Sequence, residues 1–181
     1  MTFSSSVSVF ASAACILCAT SRAHALELEL SAQTLATLVS DDAAKGGGVG
    51  LGIEGGIVVV RGLALPSSEI VTRARVSVLA GAGLAWGLEA GAAWRAEIAK
   101  HWQPEIGAYL LYLCGDLARA IDEHGQLAKD PVAALVGLTP LRLPLDQDWV
   151  SFLSLRVGAT LGTGHPPLAA SLTFFEVGRT F

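Results

Sequence analysis

Along most of this chain, apolar residues alternate one by one with polar or very small ones. From residue 49 onward, Val49, Leu51, Ile53, Ile57 and Val59 fall on one face, with Gly50, Gly52, Glu54 and Gly56 on the other. Leu84, Trp86, Leu88, Trp94 and Ile98 likewise oppose Gly87, Glu89, Gly91, Arg95 and Glu97. Ile70, Val76 and Val78 oppose Arg73, Arg75 and Ser77, and Leu26, Leu28 and Leu30 oppose Glu27 and Glu29. Near the end, Trp149, Leu153, Leu155 and Val157 oppose Ser154, Arg156, Gly158 and Thr160. A period of two is the mark of a strand with one apolar face. It predicts strands near 26–38, 48–61, 69–80, 84–98, 104–114, 132–143, 149–161 and 168–181.

Composition decides what kind of sheet this is. The 181 residues are 52% hydrophobic and only 15% charged, with a mean hydropathy of +0.54. A membrane-spanning helix needs about 18 or more consecutive apolar residues, and past residue 25 no such run occurs. The longest uncharged gap, Arg156 to Glu176, is interrupted by Gly162, Gly164, Pro166 and Pro167, which break helices. Apolar segments this short match transmembrane strands, which need only about 9–11 residues. All seven Asp and all three Lys fall between the predicted strands, whose polar faces carry Glu and Arg. The net charge of −4 and the lack of a basic cluster argue against nucleic acid as a partner.

The N-terminus reads as an export signal. Residues 9–19, VFASAACILCA, form an apolar core, and Ala23-His24-Ala25 supplies a small-x-small cleavage pattern. Residues 1–25 are therefore expected to be a signal peptide, with a single β domain over 26–181. Cys15 and Cys18 belong to that leader, which leaves Cys114 alone in the domain as a packing residue.

Eight is the even number a closed transmembrane barrel requires. The prediction is an all-β, eight-stranded antiparallel up-and-down transmembrane β-barrel, both chain ends on the periplasmic side. Residues 39–47, 81–83, 115–131 and 162–167 would then face outward, with 62–68, 99–103 and 144–148 on the periplasmic side. Trp86 and Trp94 share a face eight residues apart, which in a strand tilted 35–45° spans roughly 21 Å of membrane normal. Trp86 and Tyr112 would mark the outer edge of an aromatic girdle, and Trp94, Trp102, Trp149 and Phe181 the inner edge. Alternation alone leaves the opposite polarity open, a soluble periplasmic or secreted barrel with Trp86, Trp94 and Leu155 inside around an apolar ligand.

The ending LAASLTFFEVGRTF, residues 168–181, adds a further signal. With its export signal, eight strands and terminal Phe181, the chain resembles the small eight-stranded outer-membrane barrels of Gram-negative bacteria along its whole length. Phe175, Val177 and Phe181 match that family's C-terminal assembly signal, while Arg179 stands where a hydrophobic residue is usual. The resemblance implies residence in the cell outer membrane, contact with its lipid, and recognition by the barrel assembly machinery during biogenesis.

The candidate chemistry lies on the polar faces. Glu54, Arg73, Arg75, Glu89, Arg95, Glu97, Glu105, Arg156 and Glu176 would point into the lumen. Buried charges are costly unless paired, so these should form a Glu–Arg network that plugs the barrel, with a narrow channel as the alternative. His101, His124 and His165 sit in turn or loop contexts, no nucleophile or metal-ligand spacing appears, and the glycine run at 46–52 precedes no helix. The expectation is a structural or surface-interaction protein that is no enzyme and needs no cofactor. Loop 115–131, with helical spacing in Leu117, Ala120 and Ile121, is the candidate contact for an extracellular partner.

Overall fold

The computed structural model describes residues 27–40, 45–81, 83–115, 132–161 and 168–181. The export signal, His124, His165 and nearly all of loop 115–131 lie outside those residues. The strands are β1 (Leu28–Ser40), β2 (Lys45–Arg61), β3 (Ser68–Gly81), β4 (Leu84–Ala96), β5 (Glu105–Gly115), β6 (Val132–Thr139), β7 (Leu141–Leu145), β8 (Asp148–Thr160) and β9 (Leu168–Thr180). Each pairs antiparallel with its neighbour from β1 to β6. β1 also pairs with β9, β9 with β8, and β8 with β6, which closes the sheet on itself. The result is a barrel of eight staves with no free edge to recruit another chain.

The sixth stave corrects the expectation of one strand over 132–143. Pro140 has no N–H to give the ladder, and the stave divides there into β6 and β7, both paired to β8. Other bonds mend the break: Trp102 Nε1 donates to the Pro140 carbonyl at 2.7 Å, and the Gln103 amide donates to the Arg142 carbonyl at 2.9 Å. Arg142 is thereby held facing inward.

Two opposed bulges shape the closing strands. Phe152 pairs with Phe175 and Ser154 with Thr173, so Leu153 and Phe174 are both extra residues. Leu153 has φ 56°, a left-handed conformation that a bulky side chain rarely adopts. One added residue reverses the parity of the strand. Phe152 and Leu153 both face outward, and so do Phe174 and Phe175, with Phe152 and Phe175 in ring contact at 5.3 Å.

The bulge also overturns the placement of Trp149 in the aromatic girdle. Counting by twos from Leu153 puts Trp149 outside; with the extra residue it turns in and is 3% exposed. Glu97 is a second correction. β4 ends at Ala96, and Glu97 lies exposed in the following turn, its amide donating to the Ser67 carbonyl.

The start of β1 and the C-terminal residue meet at one rim. The Phe181 amide donates to the Leu28 carbonyl at 2.8 Å, and the Leu28 amide to the Phe181 carbonyl at 3.3 Å. The tight turn joining β7 to β8 lies at the same rim, with Asp146 at φ 65°, a conformation Asp tolerates.

Trp149 fits inside because Gly178 faces it; a Cβ there would come within 2.3 Å of the indole. At Gly55 an added Cβ meets nothing nearer than the Glu29 carbonyl oxygen at 4.0 Å. Gly178→Ala is expected to destabilise the barrel by about 1–3 kcal/mol and to red-shift tryptophan emission. Gly55→Ala should stay within about 0.5 kcal/mol of the parent. Denaturant unfolding in detergent, followed by fluorescence, checks both.

Candidate functional site

The barrel is polar within and apolar without, inverting the ordinary order of a folded protein. Leu51 is 68% exposed while Glu54, three residues on, is 2% exposed. Trp86 and Leu155 are exposed and Glu89 and Arg156 buried, the reverse of what a soluble barrel around an apolar ligand requires. That reading is overturned.

Five arginines (Arg73, Arg75, Arg95, Arg142, Arg156) and five glutamates (Glu29, Glu54, Glu89, Glu105, Glu176) are buried in the lumen. Nearest the rim that holds Phe181, Glu29 receives Arg95 at 2.6 Å and Arg142 at 2.8 Å, with Arg73 at 3.3 Å. Arg73 holds Glu105 with two bonds, Nε to Oε1 at 2.8 Å and Nη2 to Oε2 at 2.5 Å. This fork geometry suits a planar guanidinium. Arg142 lies over the Trp149 ring at 4.0 Å, so the indole face supports the cation that its carboxylates leave partly open.

Deeper in, Glu54 joins this cluster to a second one. It accepts from Arg73 at 3.1 Å and from Arg156 at 3.0 Å. Arg156 also pairs with Glu89, which binds Arg75 at 2.6 Å. Gln33 accepts from Arg75 at 3.1 Å and from the Thr173 hydroxyl at 2.9 Å. The Arg156 guanidinium stacks over the Tyr109 ring at 4.1 Å. All five buried arginines therefore belong to one continuous network. Glu176 stands apart, held by the Ser31 hydroxyl at 2.6 Å and the Ser151 hydroxyl at 2.9 Å.

The network meets solvent at one end. Arg95 also binds the half-buried Glu69 at 2.5 Å, and Arg61 pairs with both Glu69 and Glu27. A cavity of about 430 Å³ opens at this rim, lined by Glu29, Arg95, Arg142 and Trp149 among others. Toward the opposite rim the charges stop: Leu35, Val39, Leu79, Leu111, Leu113 and Leu135 pack together, all nearly inaccessible, beside the buried hydroxyls of Thr37, Ser77 and Ser171.

Eight of the nine lumen residues expected from the sequence meet here: Glu54, Arg73, Arg75, Glu89, Arg95, Glu105, Arg156 and Glu176. Glu97 does not. Glu29 and Arg142 complete the set, and the apolar packing at the far end has no counterpart in the expectation. Of the aromatics on the outer wall, Trp86, Trp102, Tyr112 and Phe181 are exposed and Trp94 half-buried. Phe175 and Val177 also face outward, while Arg179 reaches the polar turn at the rim, where Nη2 donates to Gln147 at 3.2 Å. Among the described residues, no group of His, Cys, Asp or Glu could hold a metal ion.

Arg73 is the cation most carboxylates depend on. Arg73→Met leaves Glu54 and Glu105 short of a partner inside the barrel and should cost about 3–5 kcal/mol. Arg179→Met removes an exposed contact and should cost less than about 1 kcal/mol, and Glu97→Gln should leave stability unchanged. Urea unfolding of the three variants, with heat-modifiable gel mobility as the check on closure, separates these outcomes.

No protein-family model matches the chain, and no curated protein matches it in sequence. Solved structures do match in fold. The crystal structure of neisserial surface protein A superposes with a TM-score of 0.54 at 12% identity, covering 89% of this chain and all of that one. Ail, the attachment invasion locus protein of Yersinia pestis, superposes with a TM-score of 0.52 at 10% identity, covering 86% of this chain and 98% of its own. With its closed eight-stave sheet, inverted polarity and these structural counterparts, the chain has the fold of the small eight-stranded outer-membrane β-barrels.

Proposed function

We propose that this protein is an integral barrel of the cell outer membrane whose lumen is a plug, and whose role is structural or interactive at the cell surface. The observation that carries the reading is the filling of the lumen. A network of arginines and glutamates occupies one half, and apolar side chains close the other. Water and ions can approach the charged half from the rim that holds Phe181, which this reading places in the periplasm. They then meet Leu35, Leu79, Leu113 and Leu135, where an ion would exchange its hydration for apolar packing and a few scattered hydroxyls.

With the interior committed to itself, partners are left to the outer wall and the loops. The exposed apolar belt contacts membrane lipid, and the C-terminal residues Phe175, Val177 and Phe181 serve recognition by the barrel assembly machinery. Loop 115–131, the longest connection in the sequence, is the proposed contact for an extracellular partner. Support for a surface role comes from the two structural counterparts, one named a surface protein and the other an attachment invasion locus protein. Catalysis and a cofactor have no part in this reading.

Planar-bilayer recording tests the plug. The wild-type protein should insert without unitary conductance steps, and Leu35→Ala combined with Leu113→Ala should open measurable leakage. Steady steps from the wild type, changed in size by Arg75→Met, would instead establish a channel.

A further inference from the structure

The outer wall of the barrel is uneven at one place. Along β1 the outward residues in mid-strand are small, Ala32, Thr34 and Ala36, whereas the flanking strands carry large ones. A groove of about 580 Å³ starts at Phe175 and Val177, passes over Ala32 and Thr34, and continues by Leu51 and Ile53 to Trp86. A second groove of about 530 Å³ continues past Ala36 toward the rim remote from Phe181.

Beside it stands the opposite feature. The bulges at Leu153 and Phe174 send four large side chains outward together: Phe152, Leu153, Phe174 and Phe175. Its level is fixed by the β1–β9 register. Thr34 pairs with Phe175 and Leu35 with Thr173, so the extra Phe174 stands abreast of Thr34 on the neighbouring stave. A protrusion and a hollow thus lie side by side at one height.

That arrangement is self-complementary. A two-fold axis along the membrane normal, passing between β9 and β1, sets Phe174 of each copy against the β1 hollow of the other. An interface between identical chains related by a two-fold must hold both complementary parts in one patch, as this one does. In lipid, where burying apolar surface gains little, close packing against small residues is what drives association. We infer that the β9–β1 seam is a dimer interface, with Phe174 of each copy seated in the partner's groove over Ala32, Thr34 and Ala36. The inference rests on the membrane reading above, because the seam is apolar and outward.

Cysteine pairs test it in the intact protein, reconstituted in phospholipid vesicles on a Cys114→Ser background. Heat-modifiable mobility first establishes that each variant is a closed barrel, so that a failure of the membrane reading appears at that step. Chains carrying Thr34→Cys, mixed with chains carrying Phe174→Cys, should form the mixed disulfide. Leu88→Cys, on the far wall, should not cross-link. Thr34→Trp, which fills the groove, and Phe174→Ala, which removes the protrusion, should each weaken self-association by about tenfold or more, measured by fluorescence transfer on dilution with lipid. Closed barrels that stay monomeric, or that dimerise equally well with Thr34→Trp, overturn the inference. So does native mass spectrometry showing a monomer that retains one phospholipid and loses it in Thr34→Trp, since the occupant would then be an acyl chain.

Discussion

Every charged side chain in the lumen must find a partner across a space barely wider than the side chains themselves. A guanidinium or carboxylate withdrawn from water costs several kcal/mol unless paired, and an eight-stranded barrel has no room for a solvating channel around it. The partners are mostly not neighbours in the sheet. Arg73 on β3 reaches over Gly91 of β4 to hold Glu105 on β5. Arg156 on β8 spans the lumen to Glu54 on β2 and Glu89 on β4. Glu29 on β1 gathers Arg95 from β4 and Arg142 from β7. These ties brace staves that share no backbone hydrogen bond, so the network works on the cross-section of the barrel as the ladder works on its wall.

Such bracing needs side chains at fixed levels and facing inward, which makes strand parity a functional quantity. The bulge at Leu153 shows what parity controls. Without the extra residue Trp149 would face the lipid, and Arg142 would lose the ring beneath it. Glycine does the complementary work on the wall. A Cβ at Gly137 would fall 2.7 Å from the Tyr109 ring and 2.9 Å from Arg156, so that stacked pair fits only where a stave has no side chain. Small wall positions and large lumen groups are two parts of one packing solution.

Much of this was legible in the alternation, and its failures are specific. Where one face is apolar and the other charged, as over Val49–Gly56 and Leu84–Arg95, the pattern located both strand and lumen residues. Glu97 was misplaced because alternation continues in sequence after the strand itself ends at Ala96. Trp149 was misplaced because a bulge leaves no mark in composition: Leu153 reads as an ordinary strand residue until its φ is known. Arg142 was missed although it lies inside the strand expected over 132–143, because Pro140 and Pro144 on either side of it obscure which way the chain faces there. The apolar packing of Leu111 and Leu113 was invisible for another reason. Over Tyr109–Cys114 both faces are apolar, so a period of two has no contrast to show.

That two-sided apolar stretch explains why charge stops where it does. Toward the rim remote from Phe181, the inward positions change from Arg and Glu to uncharged residues on several staves at once: Leu35 and Val39, Leu79, Ala85, Leu111 and Leu113, Ala133 and Leu135, and Ala169, with the hydroxyls of Thr37, Ser77, Thr160 and Ser171 among them. A charge among these would have only apolar side chains and a few hydroxyls around it, which cannot offset its lost hydration. The charged half, by contrast, leads through Arg95 and Glu69 to Arg61 at the solvent edge, so its potential is relieved stepwise by partly exposed groups. The lumen is thereby asymmetric in the same sense as the membrane that such barrels occupy. It is polar and solvent-linked at the end where β1 starts and β9 finishes, and largely apolar beneath the opposite rim. A pore requires polar continuity from end to end. Here that continuity is interrupted by side chains from six of the nine strands, so no single rotamer change restores it.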